Sequence, residues 1–570
     1  MYLTTNELFW SSREIRQYSL IIDPQIGSEG GIIMSDFSLQ YPEGKSENFQ
    51  TLTEETCNDL SIEYICDRVT DSEYEQNIIF KMMTKLESDP EVIKYRRDIF
   101  DDILHFPALR DKIKELLEEL NYLKELEKSV RDQTAAPVWQ LINRLQELDV
   151  YVKCIAGIND ALSTNPIQSE GLKQLQTYVN SVYTQSGFEH LQQDVSELMM
   201  EIRSVKSVSL GVNLDSHMRP AEVGIVSLND TAFVRPGLLG RFLSFASGKS
   251  QIHNGTSFEG MTKIHTVGKA AGDDPLMGGL NRVVEEMLST TVRTLKGKLN
   301  KYVNISGYSL TKLIPDFIFY IRWAEYTEKL QKLGQPMCKP EIIDSPDRLM
   351  RTTGLYILKL AVQLEQGKKL EIIPNDIEFS PEHGIYIMTG PNRGGKTTFT
   401  QAVGILFLLA QHGLYVPAES AQISPADNIY THFPADENRT VNLGRLGEES
   451  KRLSEIFSVA SKKSVLLFNE SLATTSFAEG LYIAKDVVKA LRYLGARTIF
   501  NTHMHELATD LDTMNALEGD LNVASLITGI HEGKRSYKVF LAPPEGVSYA
   551  HDIAEKYGVT YDQLTASIKR

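Results

Sequence analysis

Long stretches of the chain repeat an apolar residue every three or four positions. Between residues 111 and 130 this spacing places the apolar side chains on one face of a helix, with Glu and Lys on the other. The apolar positions are Ile113, Leu116, Leu117, Leu120, Leu123, Leu126 and Val130. The same spacing returns after Pro137 and again from Val283 to Leu299. These segments predict long amphipathic helices, in a bundle or a coiled-coil arm.

The apolar spacing shortens to two residues between those helices. It predicts one strand over 208–214 and a second over 223–228, after the turn-like Arg219-Pro220. The window 235–269 is then rich in Gly and Ser and holds five basic residues against one acidic residue. A solvated loop and a local binding patch explain that excess equally well. The middle of the chain is thus predicted to run out along helices to a small β tip and to return along helices.

From about residue 372 the pattern changes to short apolar strands, Gly-rich turns and amphipathic helices. This order is typical of an α/β domain with a largely parallel sheet. We therefore predict a multidomain α and α/β protein with a boundary near residue 350. A helical region occupies 51–350, with the β tip inserted at about 205–275, and the α/β domain occupies 351–570. The pattern over residues 1–50 assigns no structure to that segment.

Composition narrows the class of protein further. The 570 residues include 59 basic and 75 acidic side chains, for a net charge of −16, which excludes a strongly basic nucleic-acid coat but not a local basic patch. The four cysteines form no CxxC pair, as is usual in a reducing compartment. The first residues have no basic stretch followed by an apolar run, and no apolar run approaches the roughly 20 residues of a membrane span. We expect a cytoplasmic protein without a membrane partner.

The strongest motif is a glycine-rich loop between a predicted strand and a predicted helix. It matches G-x-x-x-x-G-K-[ST], and its residues are Gly390, Pro391, Asn392, Arg393, Gly394, Gly395, Lys396 and Thr397, followed by Thr398. In such a loop the main-chain N–H groups and the helix dipole both face an anion. Lys396 would reach the β- and γ-phosphates of a nucleotide, and the Thr397 hydroxyl would bind Mg²⁺. A chance match in a Gly-rich turn is the alternative, and the flanking strand and helix favour nucleotide binding.

Two further strand ends carry candidate residues for the same site. The apolar run 464–468 ends in Asn469 and Glu470, where nucleotide hydrolases usually have an Asp for Mg²⁺ and a Glu for the attacking water. Asn469 could still accept a hydrogen bond from a Mg²⁺-bound water, but it brings no charge. The next run, 498–502, leads into His503, which could hydrogen-bond a γ-phosphate. Each segment alone is more often structural, and their order after the loop favours the nucleotide role.

Here the chain resembles the MutS family of DNA mismatch repair proteins and their paralogues. The resemblance covers about 370–570 as an ordered set of segments, and it extends upstream through a short motif and the helices-tip-helices pattern of 110–335. The segments are Thr389–Thr398, Ile373–Ile377, Gly413–Ala418, Thr502–Leu507, Gly546–Ala550 with Ala554, and Cys338–Pro340. The resemblance implies a lever and a clamp-like tip, an ATPase domain, ATP and Mg²⁺ as cofactors, dimerisation through shared nucleotide sites, and DNA held between the arms.

The chain also departs from the family pattern. Nothing in it matches the family's N-terminal mismatch-reading domain, so it resembles paralogues that lack mismatch recognition. The family's Asp is Asn469, and the glycines of the loop that follows are missing. Gly444 falls near the position at which the family presents a Ser to the partner's ATP.

Three hypotheses follow from these residues. The first is a DNA-associated, Mg²⁺-dependent ATPase with slow turnover, in which Glu470 orients water and His503 senses the γ-phosphate. The second is an ATP-locked dimeric clamp with negligible turnover, because Asn469 has weakened the metal site. The third replaces DNA by a protein partner, which the acidic net charge allows. The implied partner is branched or otherwise structured DNA rather than a mismatch, and the implied assembly is a homodimer.

Overall fold

A computed structural model places most of the chain. Some of the predictions fall outside the described residues. These concern the loop residues Asn392 and Arg393, the basic window 235–269 and the segment 546–554. The structure describes residues 37–131, 137–184, 186–204, 206–214, 216–218, 220–229, 231, 297–302, 305, 307–391, 394–434, 444–473, 476–531, 534–544, 555 and 557–567.

Helices dominate the described chain up to residue 332. The elements before the β hairpin are β1 (Phe49–Thr51), α1 (Glu54–Asp59), α2 (Ile62–Val69), α3 (Glu73–Met83), β2 (Lys85–Glu87), α4 (Pro90–His105), α5 (Pro107–Arg131), α6 (Pro137–Thr164), α7 (Glu170–Tyr183) and α8 (Ser186–Ser204). The hairpin and the returning elements are β3 (Ser207–Leu214), β4 (Pro220–Asn229), a 3-10 turn (Asn300–Tyr302), α9 (Tyr308–Thr311) and α10 (Ile314–Lys332). The antiparallel β3–β4 pair matches the two strands predicted over 208–214 and 223–228. Most of the helix predicted from Val283 to Leu299 lies outside the described residues.

The long helices bury the faces that the spacing predicts. Leu120 and Leu123 of α5 are fully buried, and α6 packs against α5 so closely that a Cβ on Gly157 would lie 2.7 Å from Leu116. Helix α10 is buried along most of its length and packs against α3, α4 and α5. Within the described ranges, none of the helices combines the length and apolarity needed to cross a bilayer.

Two sheets and their helices form the rest of the described chain. Its elements are β5 (Glu341–Ile342), β6 (Met350–Leu355), α11 (Leu358–Glu365), β7 (Asn375–Phe379), β8 (Ile385–Thr389), α12 (Lys396–Gln411), β9 (Ser420–Ile423), β10 (Ile429–His432), α13 (Gly444–Val459), β11 (Val465–Asn469), α14 (Phe477–Leu494), β12 (Arg497–Asn501), a 3-10 turn (His505–Ala508), α15 (Leu511–Asn515), β13 (Val523–His531), β14 (Lys534–Leu541) and α16 (Tyr561–Ser567).

The larger sheet has the order β10-β11-β12-β8-β13-β14. Its first five strands are parallel, and β14 pairs antiparallel at one edge. Every residue of β8, β11 and β12 is buried, as expected for central parallel strands covered on both faces. The smaller sheet has the order β5-β9-β6-β7. The predicted α/β fold with a largely parallel sheet is therefore confirmed, and its central strands end side by side at one edge.

Helix α1 connects the helical region to the α/β region. The Thr431 hydroxyl of β10 donates to the Asp59 carboxylate at 2.7 Å, and the Gln401 amide of α12 donates to the Asp59 carbonyl at 2.7 Å. Leu60 is buried against α12 at Gly404, where a Cβ would lie 2.6 Å from it. The helical region thus contacts the helix that follows the glycine-rich loop.

Arg497, at the start of β12, holds the two sheets together from within the core. The residue is 1% exposed, and its guanidinium donates to the main-chain carbonyls of Arg348, Ser424, Pro425 and Lys463. Burial lowers the pKa of Arg497 to about 9, so the group is still charged at neutral pH. These carbonyls belong to connections around both sheets.

We expect Arg497→Met to lower the free energy of unfolding by about 2–3 kcal/mol, because it leaves several buried acceptors without donors. Chemical denaturation measures this. Arg351→Met is the matched control: Arg351 is 57% exposed and pairs with Glu378, so its loss should lower the free energy of unfolding far less than the loss of Arg497. Equal stability of the two variants would contradict the role given to Arg497.

Candidate functional site

The glycine-rich loop joins the central strand β8 to α12. Gly390 has φ 141° and Gly395 has φ 95°, and Gly395 caps the N-terminus of α12. Glycine adopts both conformations without strain, whereas an L side chain would not. The chain therefore turns directly from the sheet edge into a helix of 16 residues. This is the strand-loop-helix arrangement that the motif predicts.

Thr528 of β13 closes the other side of the loop. A Cβ on Gly390 would lie 2.1 Å from the Thr528 hydroxyl oxygen, and one on Gly394 would lie 2.8 Å from it. That hydroxyl is buried and has no hydrogen-bond partner within the described part of the protein. Sequence reasoning missed Thr528, because only the sheet order places β13 beside β8.

Lys396 lies inside the loop. It is 4% exposed, and its ammonium donates to the carbonyls of Gly390 at 3.0 Å and Pro391 at 3.3 Å. Burial lowers the pKa of Lys396, and the Glu470 carboxylate opposes that effect. A buried cation held by neutral carbonyls has little compensating charge, so this position favours an anion.

Asn469 is held at the end of β11 by two neighbours. Its side-chain oxygen accepts from the Thr397 hydroxyl at 2.8 Å and from the Asn501 amide at 3.0 Å. The Asn501 amide also donates to the Thr400 hydroxyl of α12 at 2.7 Å. The two residues predicted to hold Mg²⁺, Thr397 and Asn469, are therefore in direct contact, and a polar network fixes the orientation of the amide.

Glu470 and His503 form a pair beside this network. The His503 Nε2 lies 2.7 Å from a Glu470 carboxylate oxygen. The hydrogen bond from His503 lowers the pKa of Glu470 against the opposing effect of burial, and the charges of His503 and Lys396 add to the lowering. Glu470 also has φ 52°, a left-handed conformation that is unusual for this residue type. The carboxylate is thus kept charged at neutral pH, next to Lys396.

A cavity of about 500 Å³ extends from the loop. The loop side is lined by Gly394 to Thr398 and Glu470, and the far side is largely apolar. The far-side residues include Leu355, Tyr356, Ile357, Leu360, Ile372, Ile373, Phe399, Ala402 and Tyr537. Asn375 of β7 connects the rim of the cavity to β14. Its amide donates to the Tyr537 carbonyl at 3.1 Å, and its side-chain oxygen accepts from the Val539 N–H at 2.8 Å.

The structure brings most of the predicted site residues together. The described part of the loop and the start of α12 contain Gly390, Pro391, Gly394, Gly395, Lys396, Thr397 and Thr398. Beside them lie Asn469, Glu470 and His503. Asn392 and Arg393 lie outside the described residues. The functional roles of all these residues stay predictions. Besides Thr528, sequence reasoning missed three neighbours of the site: Tyr537, Thr400 and Asn501. Of these, only Asn501 could have been found from the sequence, because it lies at the end of a predicted strand.

Comparisons with known proteins give independent information on the family. The model of MutS domain V matches residues 386–553, and the model of the MutS2 N-terminal domain matches residues 88–333. The second match agrees with the expected resemblance to paralogues without mismatch recognition.

Curated relatives match a part of the chain. The DNA mismatch repair protein MutS of Rhodopirellula baltica is 36% identical over 178 residues, which is 31% of this chain and 19% of that protein. The MutS of Chlorobium chlorochromatii is 31% identical over 200 residues, 35% of this chain and 23% of that protein. The MutS of Streptococcus sanguinis is 28% identical over 248 residues, which is 39% of this chain and 29% of that protein. The chain thus spans less than a third of each of these relatives. With the two domain matches, these similarities establish that the chain belongs to the MutS family.

Proposed function

We propose that this protein binds ATP with Mg²⁺ in the Gly390–Thr397 loop and hydrolyses it slowly. The observation that carries the proposal is the buried Lys396 ammonium inside a glycine-rich loop at the start of α12. Main-chain N–H groups and the helix dipole at that point favour phosphate, and the lysine adds a full positive charge.

The cavity beside the loop has room for the rest of the nucleotide. Its volume of about 500 Å³ falls within the roughly 300–1,000 Å³ of small-molecule sites. We place the phosphates at Gly394 to Thr398 and the base against the apolar far side, where Tyr537 offers an aromatic ring. The Asn375 hydrogen bonds would hold the main chain that carries this ring.

The donor set fits a magnesium ion that is shared with the phosphates. Mg²⁺ keeps several waters and commonly takes one or two protein oxygens together with substrate phosphates. Thr397 and Asn469 would supply those oxygens, and Glu470 lies close by. Among the residues that the structure describes, there is no group of three or more His, Cys, Asp or Glu side chains suited to a metal. The phosphates would therefore supply most of the negative charge. When bound, the ion would neutralise charge on the phosphates.

Glu470 is the residue we assign to the attacking water. A carboxylate that is charged at neutral pH, lines the cavity and is oriented by His503 is placed to accept a hydrogen bond, and then a proton, from the attacking water, although its lowered pKa makes it a weaker base than an ordinary glutamate. His503 would sense the γ-phosphate through the same pair.

DNA is the partner we propose, and a homodimer is the proposed assembly. The curated relatives are named as DNA mismatch repair proteins, and the long helices with the β3–β4 hairpin support the proposal of a lever with a clamp-like tip. We propose recognition of branched or otherwise structured DNA rather than of a mismatch. A protein partner in place of DNA is the competing proposal.

Calorimetry with MgATP tests the central claim. Titration of the full chain should give saturable heat, and a coupled assay should show slow phosphate release. Absence of any uptake of ATP by folded protein would refute the proposal.

Calorimetric titration with branched and linear DNA duplexes across a salt series tests the proposed partner, because phosphate contacts make DNA binding steeply salt-dependent. No duplex binding even at low salt would favour the protein partner.

A hydrolysis-poor clamp is the second candidate function, and the Asn469 contacts favour it. The Asn469 oxygen already accepts from Thr397 and Asn501, and it carries no negative charge for a metal.

If that candidate is correct, Asn469→Asp should raise turnover roughly tenfold, about 1.4 kcal/mol, because a carboxylate would strengthen the metal site. Steady-state ATPase rates over a Mg²⁺ titration measure this. Asn77→Asp, on the exposed face of α3, changes the net charge equally and should leave the rate unchanged. Normal hydrolysis by the unmodified protein, with no gain in the Asp variant, would exclude the hydrolysis-poor clamp.

A further inference from the structure

The loop that carries Glu470 is held in a strained conformation. Glu470 has φ 52° and Leu472 has φ 64°, so two non-glycine residues on either side of Ser471 adopt left-handed backbone angles. Each such residue costs about 1–3 kcal/mol and persists only where the surroundings fix it. The packing around the loop must therefore supply that constraint.

The first constraint is the buried carboxylate of Glu449 on α13. Glu449 is 8% exposed, and its Oε2 accepts from the Leu472 N–H at 2.6 Å. The Leu472 side chain is fully buried in the core between α13 and the sheet. A charged acceptor on a different element thus fixes the second of the two left-handed residues.

The second constraint is His432 at the end of β10. Its Nδ1 lies 2.7 Å from the Ser471 hydroxyl, which also lies 3.1 Å from the His432 carbonyl. Its Nε2 lies 3.2 Å from the Glu449 carbonyl. Burial, with the nearby charge of Arg452, lowers the pKa of His432 to about 4, so the ring is neutral at physiological pH. The strand β10, the helix α13 and the loop are therefore connected by one set of hydrogen bonds.

We propose that Glu449 is a positioning residue for hydrolysis: it holds the 470–472 loop so that the Glu470 carboxylate faces the cavity. This inference rests on the proposed function, and it adds that a displacement of α13 changes the orientation of Glu470.

Four variants test the role of Glu449. Glu449→Ala removes the acceptor and should lower kcat for ATP about tenfold with KM and ATP affinity unchanged, because the phosphate loop is untouched and only Glu470 is displaced. Glu449→Gln keeps an oxygen acceptor at the same reach and should restore kcat to within about threefold of the unmodified value. Glu449→Asp keeps the charge but is one methylene shorter, so kcat should fall; it replaces the Ala variant if that one does not fold. Glu448→Ala, next in the chain and less buried, is the matched control and should leave kcat unchanged.

The measurements are calorimetric ATP affinity, steady-state kcat and KM, and thermal unfolding of each variant. Unchanged kcat in folded Glu449→Ala or Glu449→Asp protein would overturn the inference. So would a change confined to KM, or no recovery in Glu449→Gln. A chain that binds ATP without hydrolysing it would overturn the inference and leave nucleotide binding standing, whereas failure of the unmodified chain to bind ATP would refute the proposed function itself.

Discussion

Lys396→Ala is expected to abolish measurable ATP binding. The ammonium is 4% exposed and lies within the loop, so alanine removes the buried charge that would face the β- and γ-phosphates. Charge-assisted hydrogen bonds to phosphate are among the strongest polar contacts in proteins. We expect affinity to fall by at least about 1,000-fold, which corresponds to about 4 kcal/mol. Calorimetric titration with MgATP measures the loss.

The control for this experiment is a lysine outside the loop. Lys369 is exposed, and its neighbours Leu370 and Glu371 line the cavity, so Lys369→Ala removes a charge from the same region. Its affinity for ATP should stay within about twofold of the unmodified value, because exposed charges interact only modestly in water. Tight ATP binding by Lys396→Ala protein with an unchanged melting temperature would contradict the assignment of the loop.

The sequence predicts those parts of the site that depend on neighbours along the chain. The strand predicted before the glycine-rich loop is β8 (Ile385–Thr389), and the helix predicted after the loop is α12 (Lys396–Gln411). Both are apolar runs, and Gly390 and Gly395 between them adopt backbone angles that side chains would resist. The candidate residues at the ends of β11 and β12 could also be predicted, because the carboxyl ends of parallel strands meet at one edge of the sheet.

Residues that reach the site from distant elements could not be predicted in this way. Thr528 lies beside Gly390 only because β13 pairs with β8, and Glu449 meets Leu472 only because α13 packs beside the sheet. A single sequence carries no signal for either contact. The domain boundary near residue 350 also stays a prediction: β5 (Glu341–Ile342) lies before it, yet pairs with β9 (Ser420–Ile423).

Glu470→Gln is expected to separate ATP binding from hydrolysis. The amide has nearly the shape of the carboxylate and can still accept a hydrogen bond from His503, so the loop and the cavity should keep their form. It cannot act as a base, and loss of a general base typically lowers the rate about 10²- to 10⁴-fold. We expect ATP affinity within about threefold of the unmodified protein and kcat lower by about 1,000-fold. Single-turnover hydrolysis and calorimetry on the same sample measure both.

The lowered pKa of Glu470 sharpens this expectation. Because the His503 hydrogen bond keeps the carboxylate charged, acidification to pH 6 should not protonate it, and loss of the rate through this group should begin only in more acidic solution. Glu506→Gln, an exposed carboxylate three residues beyond His503, is the matched control and should hydrolyse ATP normally. If the Glu470→Gln protein turns over at the unmodified rate, the attacking water is activated by another group, and the strained loop after β11 serves the fold rather than the reaction.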